Sequence, residues 1–481
     1  MKIILAKPPI PQESVMLLTV PIGLGYLGSY LKRHIPDTEV LLIDSDLEGY
    51  HSIDSFILRI KKEKPDILGI TVFSHTVSIV RELVKQLRSQ LGSDIILVVG
   101  GPHINAVRKV VFRDLPLIDF AITSDAEEGL VEFVRWLGDG RPKANIGVVP
   151  GLIYRDNGSI SMNENKFNAN LDEYDFIEYE NIVGVKKYFR YGSPMGLFHS
   201  RSPVAAIITT RGCPFPCRFC ASSLNTGKII RSRSASHVVE EIKLLVRNYG
   251  VKEIHVMDDN FTFSKRHVLD VCRGIINENL DITIAMPNGI RLDTIDEEML
   301  LSMKNAGFYS FGFGIESASD STLKYIRKGT TIQLIKEKVK LCKKMGFQTV
   351  GFFILGFPNE TIEDNYNTGK FPDRIGLDFA SFGNFTPLPG TSLYDELVEN
   401  GEIKEDYLPS FSSGEITYSP RGITPQELKL IQAKIIFSYY LHPKRIFKIM
   451  RLLKFKDIKF VCRRLFLILF RPKIKMGDLS R

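Results

Sequence analysis

Three cysteines stand within eight residues, in Arg211-Gly212-Cys213-Pro214-Phe215-Pro216-Cys217-Arg218-Phe219-Cys220, spaced C-x3-C-x2-C. The glycine and two prolines disfavour helix and strand interiors and predict a loop. A short loop can aim three thiolates at one centre. Soft thiolates suit an iron–sulfur cluster or zinc. Structural zinc normally takes four protein ligands, and the motif holds no His, Asp or Glu to be the fourth. A cubane on Cys213, Cys217 and Cys220 leaves one iron open to a small molecule. A partial zinc site and a chance grouping are the bland alternatives.

Bulk properties narrow the class. The chain has 481 residues, 44% of them hydrophobic, enough for two or three domains with their own cores. Six cysteines, half of them in one loop, argue against a secreted disulfide scaffold and for a reducing cytosol. Met1–Gln12 is a short apolar stretch followed by prolines, without the apolar core or cleavage site of a signal peptide. No run of about 18 apolar residues predicts a spanning helix. The expected location is cytoplasmic.

Residues 1–140 alternate strand and helix patterns. Strands are expected at Lys2–Ala6, Glu39–Asp44, Ile67–Thr71, Ile95–Gly100 and Phe120–Thr123, and helices at Gly23–Arg33, Ser52–Lys62, Val77–Leu91 and Glu128–Leu137. This predicts an α/β unit, a doubly wound, Rossmann-like (flavodoxin-like) parallel sheet. Such sheets bind ligands at strand carboxyl ends. Those ends are Lys7-Pro8-Pro9, Asp44-Ser45-Asp46, Thr71-Val72-Phe73-Ser74 and the expected loop Gly100-Gly101-Pro102-His103. Paired glycines let a large flat ligand approach the backbone; a sheet that binds nothing is the plain alternative. Residues 141–200 read as hairpins and linker, with a strand at Gly151–Tyr154 and a turn at Asp156-Asn157-Gly158.

Strand–helix alternation restarts at Val204–Thr209, which runs into the cysteine loop. About six units follow over residues 201–400, predicting a partial, TIM-like (β/α)6 barrel with its chemistry at the strand carboxyl ends. Polar clusters fall at those ends: Asp258-Asp259-Asn260, Asn288-Gly289-Ile290-Arg291 and Gly312-Phe313-Gly314-Ile315-Glu316. Glu316 can accept bonds from hydroxyls or an ammonium, and Arg291 can pair with a carboxylate. Helix capping is the alternative role for Asp259, Asn260, Asn288 and Arg291.

The cysteine spacing, with an aromatic residue, Phe219, before the third cysteine, resembles the radical S-adenosylmethionine family. The resemblance implies a 4Fe-4S cluster on Cys213, Cys217 and Cys220, S-adenosylmethionine chelated at the open iron, and reductive cleavage to a 5′-deoxyadenosyl radical. It implies a glycine-rich strand, here with Gly312 and Gly314, supporting the methionyl end beside acidic Glu316, and a strand, here Gly351–Pro358, packing on the adenine. Phe219, Asp259, Asn260, Asn288 and Arg291 join the expected cofactor contacts.

Residues 1–140 look like the cobalamin-binding domain that precedes this core in one large subgroup. The Gly100-Gly101 pair, Ile67–Ser74 and Asp119–Glu127 match its pattern. Pro8, Pro9, Asp44, Thr71, Ser74, Gly100, Gly101 and His103 are the expected cobalamin contacts. The D-x-H-x-x-G sequence that ligates cobalt elsewhere is absent, and G-E-G-E reads Ser124-Asp125-Ala126-Glu127. The lower face of cobalt is therefore expected to lack a histidine from that loop. His103 is more plausible as a hydrogen-bonding residue than as a cobalt ligand. Pro387–Tyr394 resembles the subgroup's P-x-P-G-T-x-L-Y segment; packing is the main role expected for Tyr394 and Phe385.

Residues 401–481 form an α-helical, basic C-terminal region. From Thr424, apolar stretches (Ile435–Tyr440, Arg445–Leu453, Phe460–Phe470) interleave with lysine and arginine. Helices with one greasy and one basic face can lie on an anionic bilayer, which would place the protein peripherally at the inner membrane surface; packing on the barrel is the competing role, and no nucleic-acid partner is expected. The resemblance implies a cobalamin-dependent radical enzyme that abstracts hydrogen from an unactivated carbon and then transfers a methyl group from methylcobalamin. Alternatives are a cyclase or oxidase acting on a lipid or tetrapyrrole, and a non-catalytic iron–sulfur redox sensor. A small-molecule or lipid substrate and an external electron donor such as flavodoxin or ferredoxin complete the expectation.

Overall fold

A computed structural model describes residues 1–10, 20–140, 142–191, 199–409 and 416–452. Its first sheet has the parallel strands β1 (Lys2–Lys7), β2 (Glu39–Asp44), β3 (Ile67–Thr71), β4 (Ile96–Gly100) and β5 (Phe120–Ile122). Their spatial order is β2-β1-β3-β4-β5, the flavodoxin-like winding, whose order reverses between β1 and β3. Helices Ile22–His34, Ile53–Glu63, Val77–Leu91 and Glu127–Gly138 cover the sheet, each within two residues of its expected bounds. On β1, Ile3 and Leu5 enter one core while Ile4 and Ala6 enter the other. Burial on both faces is what a parallel sheet requires.

The sheet extends beyond residue 140. Strands β6 (Leu152–Asp156) and β7 (Ser159–Met162) add an antiparallel hairpin at the edge of β5. Its turn is Asn157-Gly158, both with positive φ (47° and 83°), as the tight turn requires. The stretch that reads as linker thus carries the outer strands; which edge accepts a hairpin is long-range information. Pro102–Val107 is helical rather than loop, with proline in its first turn where no amide bond is lost. His103 therefore sits on a helix.

Strands β8 (Val204–Ile207), β9 (Thr210–Arg211) and β10 (Arg231–Ser232) flank the cysteine loop, followed by β11 (Glu253–Val256), β12 (Thr283–Ile290), β13 (Phe308–Glu316), β14 (Gln348–Leu355) and β15 (Phe379–Asn384). Six of these are parallel in the order β8-β11-β12-β13-β14-β15, and β9 pairs with β10; among the described residues β8 and β15 are the edges. Parallel alignment puts all six carboxyl ends on one side. The connecting helices start at side-chain caps: Ser234 on His237 N, Ser264 on His267 N, Asp296 on Met299 N, Thr331 on Leu334 N and Thr361 on Asp364 N. Each such cap contributes about 1 kcal/mol.

Helix Pro425–Tyr440 packs on β15 and on helix Ile362–Ile375 through Leu428, Ile431, Ile435 and Tyr439. Glycines make room for it: a Cβ on Gly369 would lie 2.5 Å from Ile435, and one on Gly356 2.6 Å from Leu428. At Ile435 and Tyr439, packing rather than a bilayer-facing surface takes up the apolar side chains. Helix Pro443–Leu452 follows; Phe460–Phe470 lies outside the described residues.

Candidate active site

The cysteine loop leaves the carboxyl end of β8 through a polar clasp. Asp258 accepts hydrogen bonds from Thr209 N (2.6 Å), Thr209 Oγ1 (2.6 Å) and Thr210 Oγ1 (2.9 Å). Burial pushes the Asp258 carboxyl up to about 6 despite these donors. Arg211 on β9 then pairs in register with Arg231 on β10, closing the loop at its base. Gly212, at φ 107°, has no space for a Cβ against the Ile229 carbonyl. Cys213 N donates to Gly227 O (3.0 Å), Arg218 N to Ile326 O (3.0 Å), and Leu393 N to Arg218 O (3.0 Å). The loop is thus held at both ends and in its middle.

All three cysteines are half-buried and free of disulfides. Burial, the larger influence, pushes the Cys213 and Cys217 thiols up; at Cys217, Lys328 and then Arg291 pull the other way. Cys220 Sγ accepts from Ser222 N at 3.5 Å. Among the described residues no three His, Cys, Asp or Glu side chains converge as the ligands of one ion would. A cubane takes each cysteine on a separate iron, so its ligands need not converge on one point. Three soft donors with two cations beside one of them fit an anionic iron–sulfur cluster.

The strand ends bring most of the expected residues to this loop. Arg291 lies on Phe215, its guanidinium carbon 3.6 Å from the ring centroid, with Nη1 3.9 Å from Cys217 Sγ. Asp293 and the Lys328 carbonyl fix it there at 2.8 and 2.7 Å. Glu316, at the end of β13, has φ 69° and pairs with Lys328 at 2.6 Å. A non-glycine residue there costs about 1–3 kcal/mol and marks a position the surroundings enforce. Lys328 Nζ also stands 5.9 Å from the Phe219 ring centroid. Gly314 gives that pair its space, since a Cβ would lie 2.7 Å from Glu316 Oε1 and 2.8 Å from Lys328 Nζ. Gly312 does the same for the Phe352 ring, at 2.6 Å.

Asp259 accepts from Ser222 Oγ (3.3 Å) and Thr226 Oγ1 (2.8 Å), so it braces the chain after Cys220. Asn288 sits where the β12–β13 register shifts and donates to the Met257 and Asp258 carbonyls at 3.1 and 3.0 Å. Asn260 is 1% exposed, and neither its Oδ1 nor its Nδ2 has a partner among the described residues. Leaving both unpaired costs several kcal/mol, on the order of 1–3 for each group. A polar ligand atom would relieve that cost. Lys328, Phe215, Ser222 and Thr226 were not singled out in the sequence; they lie in loops and short helices, where periodicity gives no signal.

The first domain faces this site. A cavity of about 440 Å³ is lined by Pro102 from that domain, Phe219–Ser222 and Asn225 from the cysteine region, and Ile354, Asn384–Thr386 and Leu388 from the β14 and β15 ends. Among the described residues, no charged side chain lines it. Asn105 Nδ2 donates to Asn225 Oδ1 at 2.6 Å across the two domains. Gly390, at φ 79°, packs so that a Cβ would lie 2.8 Å from the Ala106 carbonyl.

Residues expected to meet cobalamin lie along the same rim, several of them committed within the domain. His103 is fully buried, with Nδ1 3.1 Å from Ser74 Oγ and Nε2 3.2 Å from Asp114 Oδ2. Asp44 is buried, accepts from Asp46 N (3.0 Å) and the Tyr188 hydroxyl, and has Lys7 Nζ at 3.8 Å. Burial, the leading cause, raises its carboxyl above the usual range. Pro8 and Pro9 are buried, whereas Thr71, Ser74, Gly100 and Gly101 are half-buried. Gly101, at φ 105°, lets β4 approach β3, since a Cβ would lie 2.8 Å from Thr71 Oγ1. At Gly100 a Cβ would meet nothing closer than the Ile122 carbonyl at 3.4 Å. That leaves an approachable backbone, the kind of cradle a flat ring needs.

Residues 207–371 match the family model of the radical SAM superfamily, and residues 13–134 match that of the B12 binding domain. An uncharacterized methyltransferase of Pyrococcus horikoshii is 33% identical over 454 residues, covering 93% of this chain and 94% of that protein. The cytidylyl-2-hydroxyethylphosphonate methyltransferase of Streptomyces wedmorensis is 27% identical over 431 residues, covering 80% of this chain and 79% of that protein. The solved cobalamin-dependent S-adenosylmethionine radical enzyme OxsB, with aqua-cobalamin and S-adenosylmethionine bound, superposes with a TM-score of 0.74 at 17% identity, over 96% of this chain and 70% of that one.

Proposed function

Since this chain belongs to the cobalamin-dependent radical S-adenosylmethionine family, we propose that it transfers a methyl group to an unactivated carbon of a small molecule. The observation that carries this reading is the uncharged cavity shared by Pro102, the Phe219–Ser222 stretch and the β14 and β15 ends. When bound, the cluster with S-adenosylmethionine supplies a 5′-deoxyadenosyl radical, and cobalamin supplies the methyl group. The protein orients these groups and keeps water from them.

Cys213, Cys217 and Cys220 would hold the cluster, with Arg291 and Lys328 offsetting its negative charge. Glu316, Lys328 and Asn260 would receive the polar atoms of S-adenosylmethionine, and Gly312 and Gly314 keep space beside them. Gly100, Gly101 and the Thr71–Ser74 stretch would border the corrin. His103, with both ring nitrogens engaged, would brace that rim rather than reach cobalt. Ile354, Phe385 and Leu388 would hold the apolar part of the acceptor, and Asn384, whose Oδ1 has no partner among the described residues, would take a hydrogen-bond donor from it. Hydrogen abstraction needs no general base, in keeping with an uncharged lining.

Incubation under anaerobic conditions with S-adenosylmethionine deuterated in its methyl group tests the reading on candidate acceptors. A labelled methyl on product carbon together with 5′-deoxyadenosine is expected. 5′-Deoxyadenosine without label in the product would replace methylation by ring formation or oxidation. Neither 5′-deoxyadenosine nor a spectral response of the cluster to S-adenosylmethionine would leave only a redox sensor.

A flavodoxin or ferredoxin is the proposed electron donor. Peripheral contact with an anionic membrane is proposed for the C-terminal region, in a protein otherwise in the cytoplasm. Its support is the exposure of Leu441 (63%) and Phe447 (55%) beside a basic sequence. Arg445 and Lys448 are engaged by Asp373 and Asp378, so the attraction would come from the cations that follow. No helix among the described residues is long and apolar enough to cross a membrane. Removal of residues 443–481 should abolish sedimentation with phosphatidylserine vesicles; unchanged sedimentation would refute the contact.

A further inference from the structure

The turn after β5 grips both ends of the cysteine loop. Asp125 accepts from Arg231 Nη2 (3.3 Å) and Nη1, and lies 3.5 Å from Arg211 Nη1. Glu127 Oε1 accepts from Arg211 Nη2 at 2.7 Å. Arg211 and Arg231 are partners on the β9–β10 ladder, one just before the cysteines and one just after the helix that follows them. Asp125 and Glu127 side chains are only 4% and 2% exposed, so water does little to screen these pairs. Arg231 Nη2 also donates to Thr226 O at 2.7 Å, tying the helix after Cys220 into the same knot.

The turn itself is backbone-strained. Ser124 and Ala126, flanking Asp125, have φ of 70° and 66°, a conformation L-residues keep only where their surroundings enforce it. A second link runs beside the first. Asn105, on the helix after Gly100-Gly101, accepts from Ser124 N at 2.8 Å and donates to Asn225 Oδ1 at 2.6 Å. The rim expected to border the corrin and the loop expected to hold the cluster are therefore one continuous bonded unit.

We propose that Asn105, Asp125 and Glu127 are positioning residues through which cobalamin occupancy of the first domain stabilises the cluster loop of the second. This rests on the family reading above. A ligand that fixes the Gly100–His103 segment holds Asn105, and through Asn105 and Ser124 holds Asp125 against both arginines. The loop base then opens less often. Linkage requires the reverse effect as well, tighter cobalamin binding by the chain with an intact cluster.

The test uses the full chain, reconstituted anaerobically with iron and sulfide, with and without hydroxocobalamin. Iron release to a chelator is followed by absorbance, and bound cobalamin by its visible spectrum. Cobalamin should slow iron release by at least about fivefold, the low end of ordinary coupling between sites. Asn105→Ala and Asp125→Asn should each take up iron and cobalamin yet lose most of that protection, and Asp125→Glu should restore part of it. If Asp125→Asn does not fold, Asn105→Ala, which leaves the buried charges paired, decides the matter. Equal release with and without cobalamin in the wild type, or full protection in Asn105→Ala, would overturn the coupling while leaving the family reading intact. A chain that binds neither iron nor cobalamin would overturn both.

Discussion

Arg291 places Nη1 3.9 Å from the Sγ of Cys217 while its guanidinium lies flat on Phe215. Asp293 and the Lys328 carbonyl hold it on three further bonds, so the cation stays in place in a low-dielectric setting. A fixed positive charge beside a cluster ligand favours the reduced, more negative state. Arg291→Ala should lower the midpoint potential of the reconstituted cluster by on the order of 60 mV, a tenfold change for a one-electron couple. Arg291→Lys keeps the charge but not the planar fork, and should fall between. Potentiometric titration followed by electron paramagnetic resonance measures this; an unchanged midpoint in Arg291→Ala would remove the residue from any tuning role.

Glu316 and Lys328 form a buried pair at 2.6 Å. Removing one partner strands the other charge, which typically costs about 3–5 kcal/mol. Lys328→Met should therefore lower the thermal midpoint of the cofactor-free chain more than the double change Lys328→Met with Glu316→Gln. The double variant should regain stability but not the response of the cluster spectrum to S-adenosylmethionine. Additive losses in the two positions would show that the pair is not coupled.

Glycines of β13 separate stability from ligand binding. A methyl on Gly312 meets Phe352 at 2.6 Å and the Met286 carbonyl at 3.2 Å, whereas on Gly383 of β15 it meets nothing nearer than 3.9 Å. Gly312→Ala should cost about 1–3 kcal/mol as overpacking, and Gly383→Ala should change the thermal midpoint little. Gly314→Ala pushes into the Glu316–Lys328 pair and should weaken S-adenosylmethionine binding more than it lowers the midpoint. Calorimetric titration beside thermal melts distinguishes these, and equal effects at all three glycines would refute the assignment.

What could be read in the residues tracks how local its cause is. The cysteine loop, the parallel strands and their helices follow from spacing, periodicity and caps within a few positions. The docking of the β6–β7 hairpin on the edge of β5, the ion pair that Lys328 makes with Glu316 across a turn, and the grip of Asp125 on Arg211 and Arg231 depend on tertiary placement that no local spacing encodes. Ser124-Asp125-Ala126-Glu127 stood out in the sequence only as a weak match. Its bonds to Arg211 and Arg231 exist only once the two domains meet. The glycines of β13 were legible as glycines, but the space they leave serves Phe352 and an ion pair, which no spacing rule specifies.

Glu360 gives the fold a dependence on pH. It is buried, accepts from Ser317 Oγ at 2.8 Å and from Gly356 N and Phe357 N at 3.1 and 3.2 Å, and ties β13 to the end of β14. Burial outweighs these donors and pushes its carboxyl up to about 7 from 4.5. The folded chain therefore holds this proton more tightly than the unfolded one. Its contribution is fully present below pH 4.5, declines as pH rises, and is gone above about 7. The integrated loss is on the order of 3 kcal/mol. Glu360→Gln keeps an oxygen for the two amides and cannot ionise. Its thermal midpoint should match the wild type near pH 5 and exceed it at pH 8. A difference between the two proteins that stays constant from pH 5 to 8 would show that Glu360 does not titrate in this window.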